Sequence, residues 1–99
     1  MKITKKIENG NAMLHLIGRI DSGTAEKFEE ETVETIKSDI KSLTFECSKL
    51  DYISSAGLRV LLLAQKRMKD KGKVTVKNPN NTVLEIFDVT GFINILTVE

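Results

Sequence analysis

The stretch Leu43-Thr44-Phe45-Glu46-Cys47-Ser48-Lys49-Leu50-Asp51-Tyr52-Ile53-Ser54-Ser55-Ala56-Gly57-Leu58 carries the reading of the fold. Leu43, Phe45 and Cys47 alternate with polar residues, the period of a strand with one buried face. Lys49 to Ile53 reads as a loop. Ser54 and Ser55 place two hydroxyls where a helix would start. Leu58 to Lys71 continues as that helix, closed by Gly72. A strand running into a helix is half of a crossover unit, the connection that parallel strands require.

The flanking sequence repeats the pattern. Val74 and Val76 form a short strand, which Asn78-Pro79-Asn80-Asn81 stops. Thr82 and Glu85 have the spacing of a capping box for a third helix. Its apolar residues are Val83, Leu84, Ile86, Phe87 and Val89, and Gly91 ends it. Ile93 and Ile95 suggest a last strand. Toward the N-terminus, Ile3 and Ile7 mark a weak first strand, broken by Asn9-Gly10-Asn11. Asn-Gly tolerates the positive φ angles of a hairpin turn. Ala12 to Ile20 follows, apolar on both faces, as a central strand would be.

Asp21-Ser22-Gly23-Thr24 is a turn with several candidate helix caps. After it Ala25, Phe28, Thr32 and Ile36 recur at three- and four-residue spacing, with Val33 beside the same stripe. This is an amphipathic helix whose outer face carries Glu26, Glu30, Glu31 and Glu34. The plain structural reading of those glutamates is a solvated face. The element order predicts one α/β domain over residues 1–99, with helices packed on a mixed, mostly parallel sheet that opens on an antiparallel hairpin.

Composition narrows the function classes. Fifteen basic and 14 acidic residues leave a formal net charge of +1, far from the basic excess of a nucleic-acid binder. The single Cys47 cannot form an internal disulfide, and with the single His15 it cannot make a zinc site unaided. Residues Met1 to Lys6 lack the apolar core of a signal peptide. The longest apolar run, Val60 to Ala64, is too short to enter and span a bilayer. A reducing cytoplasm is the expected compartment, without membrane insertion.

Catalytic chemistry is hard to find. Neither a Walker loop nor a Gly-x-Gly-x-x-Gly run is present, and Ser55 is not in a Gly-x-Ser-x-Gly elbow. A serine nucleophile needs a base, and the one histidine falls in a predicted strand, where a structural role is the simpler reading. Cys47 on an inward strand face reads as a small core residue, since nothing near it in sequence would lower its pKa. A hydrolase built on Ser55 would reveal itself by fluorophosphonate labelling. What stands out is the helix start. One of Ser54 and Ser55 could be only an N-cap, but small Ala56 and Gly57 beside them would also let a partner's backbone or a phosphate approach closely. On the second helix, at about 100° per residue, Val60, Leu61, Ala64 and Met68 share the core side. Leu63 instead falls between Arg59 and Arg67. A scattered exposed leucine is ordinary, and an apolar residue in a charged stripe also suits a partner contact.

Asp51 to Leu62 resembles the signature of the STAS domain, as found in bacterial anti-sigma factor antagonists. Gly18-Arg19-Ile20-Asp21 with Thr24-Ala25 is similar to that family's Gly-x-Leu-Asp…Thr-Ala segment, and Thr90-Gly91-Phe92 to its Thr-Gly-Leu. The resemblance covers nearly the whole chain and implies a STAS-like fold. It implies partner switching and no enzymatic activity. Unphosphorylated antagonist binds an anti-sigma factor that is also a serine kinase, and a sigma factor is released. The kinase phosphorylates a serine at the start of the second helix, and a metal-dependent serine phosphatase reverses this. Aligned on Gly57-Leu58, the acceptor falls on Ser55, with Ser54 the competing hydroxyl. Many members have an aspartate at the position of Ser54 and a second hydroxyl at that of Ala56. The implied partner surface comprises Asp21, Ser54, Ser55, Ala56, Gly57, Arg59 and Leu63. ATP belongs to the kinase, so no cofactor and no metal is implied for this chain. STAS domains also serve as regulatory subunits of transporters, lipid-transport machinery or stress-sensing complexes, which keeps the fold and changes the partner.

Overall fold

A computed structural model describes residues 1–99. The strands are β1 (Lys2–Glu8), β2 (Asn11–Ile20), β3 (Ser42–Ile53) and β4 (Lys73–Lys77), and the helices are α1 (Ala25–Lys37), α2 (Ser55–Arg67) and α3 (Asn81–Thr90). The sheet order is β1-β2-β3-β4; β1 is antiparallel to β2 and the other pairs are parallel. The hairpin turn sits where Asn-Gly placed it, with φ of 54° at Asn9 and 80° at Gly10. Positive φ at both central residues gives the turn whose twist matches its strands.

One face of the sheet carries the core. Ala12, Leu14, Leu16 and Ile20 of β2, with Leu43, Phe45, Cys47, Leu50 and Ile53 of β3, are buried there beneath the helices. Phe28 of α1 meets Phe45 edge-on, ring centroids 5.7 Å apart. The helix stripes are those the spacing predicts: Ala25, Phe28, Thr32 and Ile36 on α1, and Val60, Leu61 and Ala64 on α2 with Met68 just beyond. β2 is a central strand, yet its second apolar face is not covered by a helix. Met13, His15 and Ile17 stay half-buried there.

Four local expectations need correction. Residues 49–53 are strand, not loop. β3 contains two irregularities opposite β2, between His15 and Ile17 and between Gly18 and Arg19. Each inserts an extra outward residue and breaks the period-two pattern that a strand is recognised by. Second, α2 ends at Arg67. Gly72 is a packing residue rather than its cap: a Cβ there would fall 1.8 Å from the Lys41 carbonyl oxygen. The neighbouring Lys71 ammonium donates to the carbonyls of Ile36 (2.5 Å) and Ser38 (3.0 Å) at the end of α1. Third, α3 is capped by Asn80, whose carbonyl oxygen accepts from the Val83 amide at 2.9 Å, not by a Thr82 capping box. Its Nδ2 donates to the Leu50 carbonyl, tying the helix to β3. Fourth, no full strand follows α3. Gly91, at φ 80°, ends the helix and a 3-10 turn takes Phe92–Asn94. Only Val98 then bridges to Val76.

The core holds one unmet polar atom. Thr32 is fully buried and its hydroxyl has no partner, whereas Thr35 donates to the Glu31 carbonyl at 2.7 Å. An unpaired buried hydroxyl costs about 1–3 kcal/mol. Thr32→Val keeps the shape and should stabilise the domain by about 1 kcal/mol, read as a melting temperature about 4–8 °C higher. A lower melting temperature would show that the hydroxyl does hold a bond.

Candidate functional site

β2 and β3 end side by side, Ile20 opposite Ile53, so the loops that follow them share one corner of the molecule. In open α/β sheets the carboxyl ends of parallel strands are where ligands bind. The Ser54 amide donates to the Ile20 carbonyl at 2.7 Å and pins the two strand ends together.

The two serines have different work. Ser54 is the N-cap of α2: its backbone is extended (φ −84°, ψ 172°) and its hydroxyl accepts from the Gly57 amide at 3.2 Å. Ser55 is the first helical residue and is exposed. The first turn of α2 contains no acidic residue, so the positive end of the helix dipole is uncompensated there. Ser54→Ala should lose the cap at a cost of about 1 kcal/mol, while Ser55→Ala should change stability by less than about 0.5 kcal/mol. Denaturant titration of both variants checks this. Equal losses would mean that Ser55 also holds the helix start.

Gly57 packs against the ends of β2 and β3. It is buried, and a Cβ on it would come within 2.7 Å of Ile53 Cγ1 and 2.8 Å of Ile20 Cγ2. Both neighbours are branched, buried side chains with little room to yield. Gly57 thus lets the start of α2 settle onto the ends of β2 and β3, and it fixes where Ser55 emerges. Ala56, half-buried, lines the groove between α1 and α2 with Ser22 and Ala25. Arg59 is exposed one turn beyond Ser55, and Leu63 is half-buried one turn further.

Asp21 builds the adjoining loop. Its carboxylate accepts from the amides of Gly23 (2.9 Å) and Thr24 (3.0 Å), and the Thr24 hydroxyl accepts from the Asp21 amide at 3.0 Å. These bonds, those from Thr24 foremost, favour the charged carboxylate and hold its pKa below the usual carboxylate value. Because the folded pKa is lowered, the contribution is present at neutral pH and lost as pH falls below about 4 through the folded value. On the neighbouring pair of the strand ends, the Arg19 guanidinium lies 4.6 Å from the Tyr52 ring centroid.

Asp21, Ser54, Ser55 and Ala56 therefore meet at one corner, with Gly57 beneath them and Arg59 and Leu63 extending along α2. Glu26 and Glu30, which the spacing marks as a solvated helix face, line the α1 wall of the groove together with Glu29. The acidic spacing was visible, but only the fold puts it beside Arg59. His15 stands mid-strand opposite Glu46 on the helix-free face, five residues and about 17 Å of strand before the corner, so it cannot serve Ser55 as a base. Cys47 is buried, and burial, helped by the nearby Glu46 charge, pushes its thiol up to about 12. That leaves almost no thiolate at neutral pH. No helix is long and apolar enough to cross a membrane.

The model of the STAS domain family matches residues 2–99. A Bordetella bronchiseptica protein that carries the name anti-sigma factor antagonist BtrV is 33% identical over 99 residues, covering 99% of this chain and 85% of that one. Among solved structures, an anti-sigma factor antagonist from Mycobacterium paratuberculosis superposes with a TM-score of 0.90 at 16% identity, over 98% of this chain and 83% of that one. The anti-sigma factor antagonist SpoIIAA of Bacillus superposes in its unphosphorylated form with a TM-score of 0.84 at 16% identity, over 99% and 88% of the two chains. SpoIIAA has also been solved phosphorylated.

Proposed function

The chain belongs to the STAS domain family, and we propose that it is a cytoplasmic anti-sigma factor antagonist switched by phosphorylation of Ser55. Unmodified, it binds an anti-sigma factor serine kinase and frees the sigma factor that the kinase held. The kinase transfers the γ-phosphoryl group of ATP to the Ser55 oxygen. A P–O bond forms at Ser55, the bond to ADP breaks, and the hydroxyl proton leaves to a base of the kinase. A serine phosphatase restores the hydroxyl by hydrolysis. The chain itself does no chemistry.

One observation carries the reading: the helix start has two serines, and the fold commits only Ser54 to the backbone. Ser55 is left exposed at the N-terminus of α2, where a kinase can reach it and a docked partner would cover it. The relationship to BtrV favours the anti-sigma partner over a transporter. The test is reconstitution. Affinity purification from native cells identifies the anti-sigma factor, which is then produced with its sigma factor as a complex. Adding the unphosphorylated chain should displace the sigma factor stoichiometrically. Recovery of a membrane permease and no anti-sigma factor would instead assign the chain to transporter regulation.

A further inference from the structure

The groove between α1 and α2 has a volume of about 870 Å³ and walls of opposite charge. Glu26, Glu30 and Glu34 recur every fourth residue along the α1 rim, which ends on Lys37, and Arg59 and Arg67 stand eight residues apart on the α2 rim. Spacings of four and eight keep each set on one edge of its helix. Between the rims Val33 and Ala56 are half-buried, above Ala25 and Val60, which belong to the core. The rims do not neutralise each other: the protein's ion pairs are Lys6–Glu8 and Lys73–Glu99, both on the strand side of the fold. The groove is therefore a strip with an acidic edge, a narrow apolar centre and a basic edge.

From this pattern we propose that the groove seats one helix of the anti-sigma partner, with Lys or Arg along the edge facing α1 and Asp or Glu along the edge facing α2. The proposal rests on the antagonist reading above and deepens it by specifying the partner element. From Ala56 to Arg67 the α2 rim is about 16 Å long at 1.5 Å per residue, which matches three turns of helix. A convex helix fills a groove between two helices as a ridge fills a furrow. Small apolar residues of the incoming helix meet the half-buried Val33 and Ala56, and the two charged edges fix its direction. Ser22 and Ala56 form the end of the groove next to Ser55. A phosphate there would face the acidic edge of the incoming helix, which links the groove to the switch.

Two charge reversals of opposite sign test this against the recombinant anti-sigma factor. Glu30→Lys with Glu34→Lys changes the net charge by +4, and Arg59→Glu with Arg67→Glu by −4. Long-range steering would make one variant bind better and the other worse. A seated helix with complementary edges makes both bind at least tenfold more weakly. Lys2→Glu with Lys6→Glu, on β1, also changes the charge by −4 and should stay within about threefold of wild type. A benzophenone carried on Val33→Cys reports the occupant directly, since the buried Cys47 does not compete for the label. Its adduct should map to a partner helix with basic and acidic edges. Affinities that move in opposite directions, affinities that do not move, or an adduct to a second copy or a non-helical segment would overturn the proposal and leave the antagonist reading standing. Failure of the wild-type chain to bind any anti-sigma factor would overturn both.

Discussion

Phosphorylated Ser55 should bind the anti-sigma factor at least a hundredfold more weakly than the bare hydroxyl, and the domain should melt no lower than before. The two halves of this result come from one position. Ser55 is the first residue of α2, exposed, in a helical turn without acidic side chains. A phosphate adds roughly −1.5 to −2 charges at pH 7. At a helix N-terminus negative charge is favourable by about 0.3–1 kcal/mol, because it faces unpaired amides and the positive end of the dipole. Ser54 keeps its cap on the Gly57 amide, so the modification asks nothing of the fold. Docking is different. The same phosphate must shed water against a surface shaped for a hydroxyl, and burying an unpaired charge costs several kcal/mol. About 2.7 kcal/mol already corresponds to a hundredfold. Partner titrations and thermal melts of both forms measure the two halves separately. A large fall in melting temperature would mean that the switch acts by local unfolding. Ser55→Ala should bind constitutively, and Ser55→Asp should bind weakly, as a single carboxylate carries only part of the charge.

Leu61→Asp should unfold the domain, whereas Leu63→Asp should leave it folded and remove most of its affinity for the partner. The two leucines lie two residues apart, on different sides of α2. Leu61 is 1% exposed within the core cluster. Removing its side chain alone would cost about 2–5 kcal/mol. An unpaired carboxylate adds several kcal/mol more, which reaches the whole stability of about 5–15 kcal/mol of a small domain. Leu63 is half-buried and lies along the helix between Arg59 and Arg67, so an aspartate there keeps access to water and two cationic neighbours. The expected loss is the apolar contact proposed between Leu63 and the partner. Circular dichroism melts and a binding titration on each variant decide the matter. Unfolding by Leu63→Asp would place Leu63 in the core and remove it from the partner surface.

The parts of the fold legible in the sequence are those set by local chemistry. Asn9-Gly10 specifies its turn, the α1 and α2 stripes specify their buried faces, and strands alternating with helices imply the parallel pairs. The extent of β3 was hidden because its two irregularities disrupt the alternation that marks a strand. The expected last strand failed for a related reason. Ile93 and Ile95 alternate, but Gly91 turns the chain into a 3-10 turn before they can pair. The site was legible as far as its segment, and Ser54 and Ser55 were distinguished only by resemblance. Their division into cap and free hydroxyl is a matter of which backbone residue begins the helix. Gly57 and Gly72 illustrate what one-dimensional reading cannot supply. Each is small because of a neighbour distant in sequence or across a strand end, Ile20 and Ile53 for one and Lys41 for the other.

The most direct test of Ser55 as the switch is incubation of the chain with its anti-sigma factor kinase and ATP, followed by peptide mapping and release of the complex. One phosphate, on Ser55, should be incorporated in step with dissociation, and none in Ser55→Ala. Phosphate mainly on Ser54, or dissociation of Ser55→Ala at the wild-type rate, would contradict it.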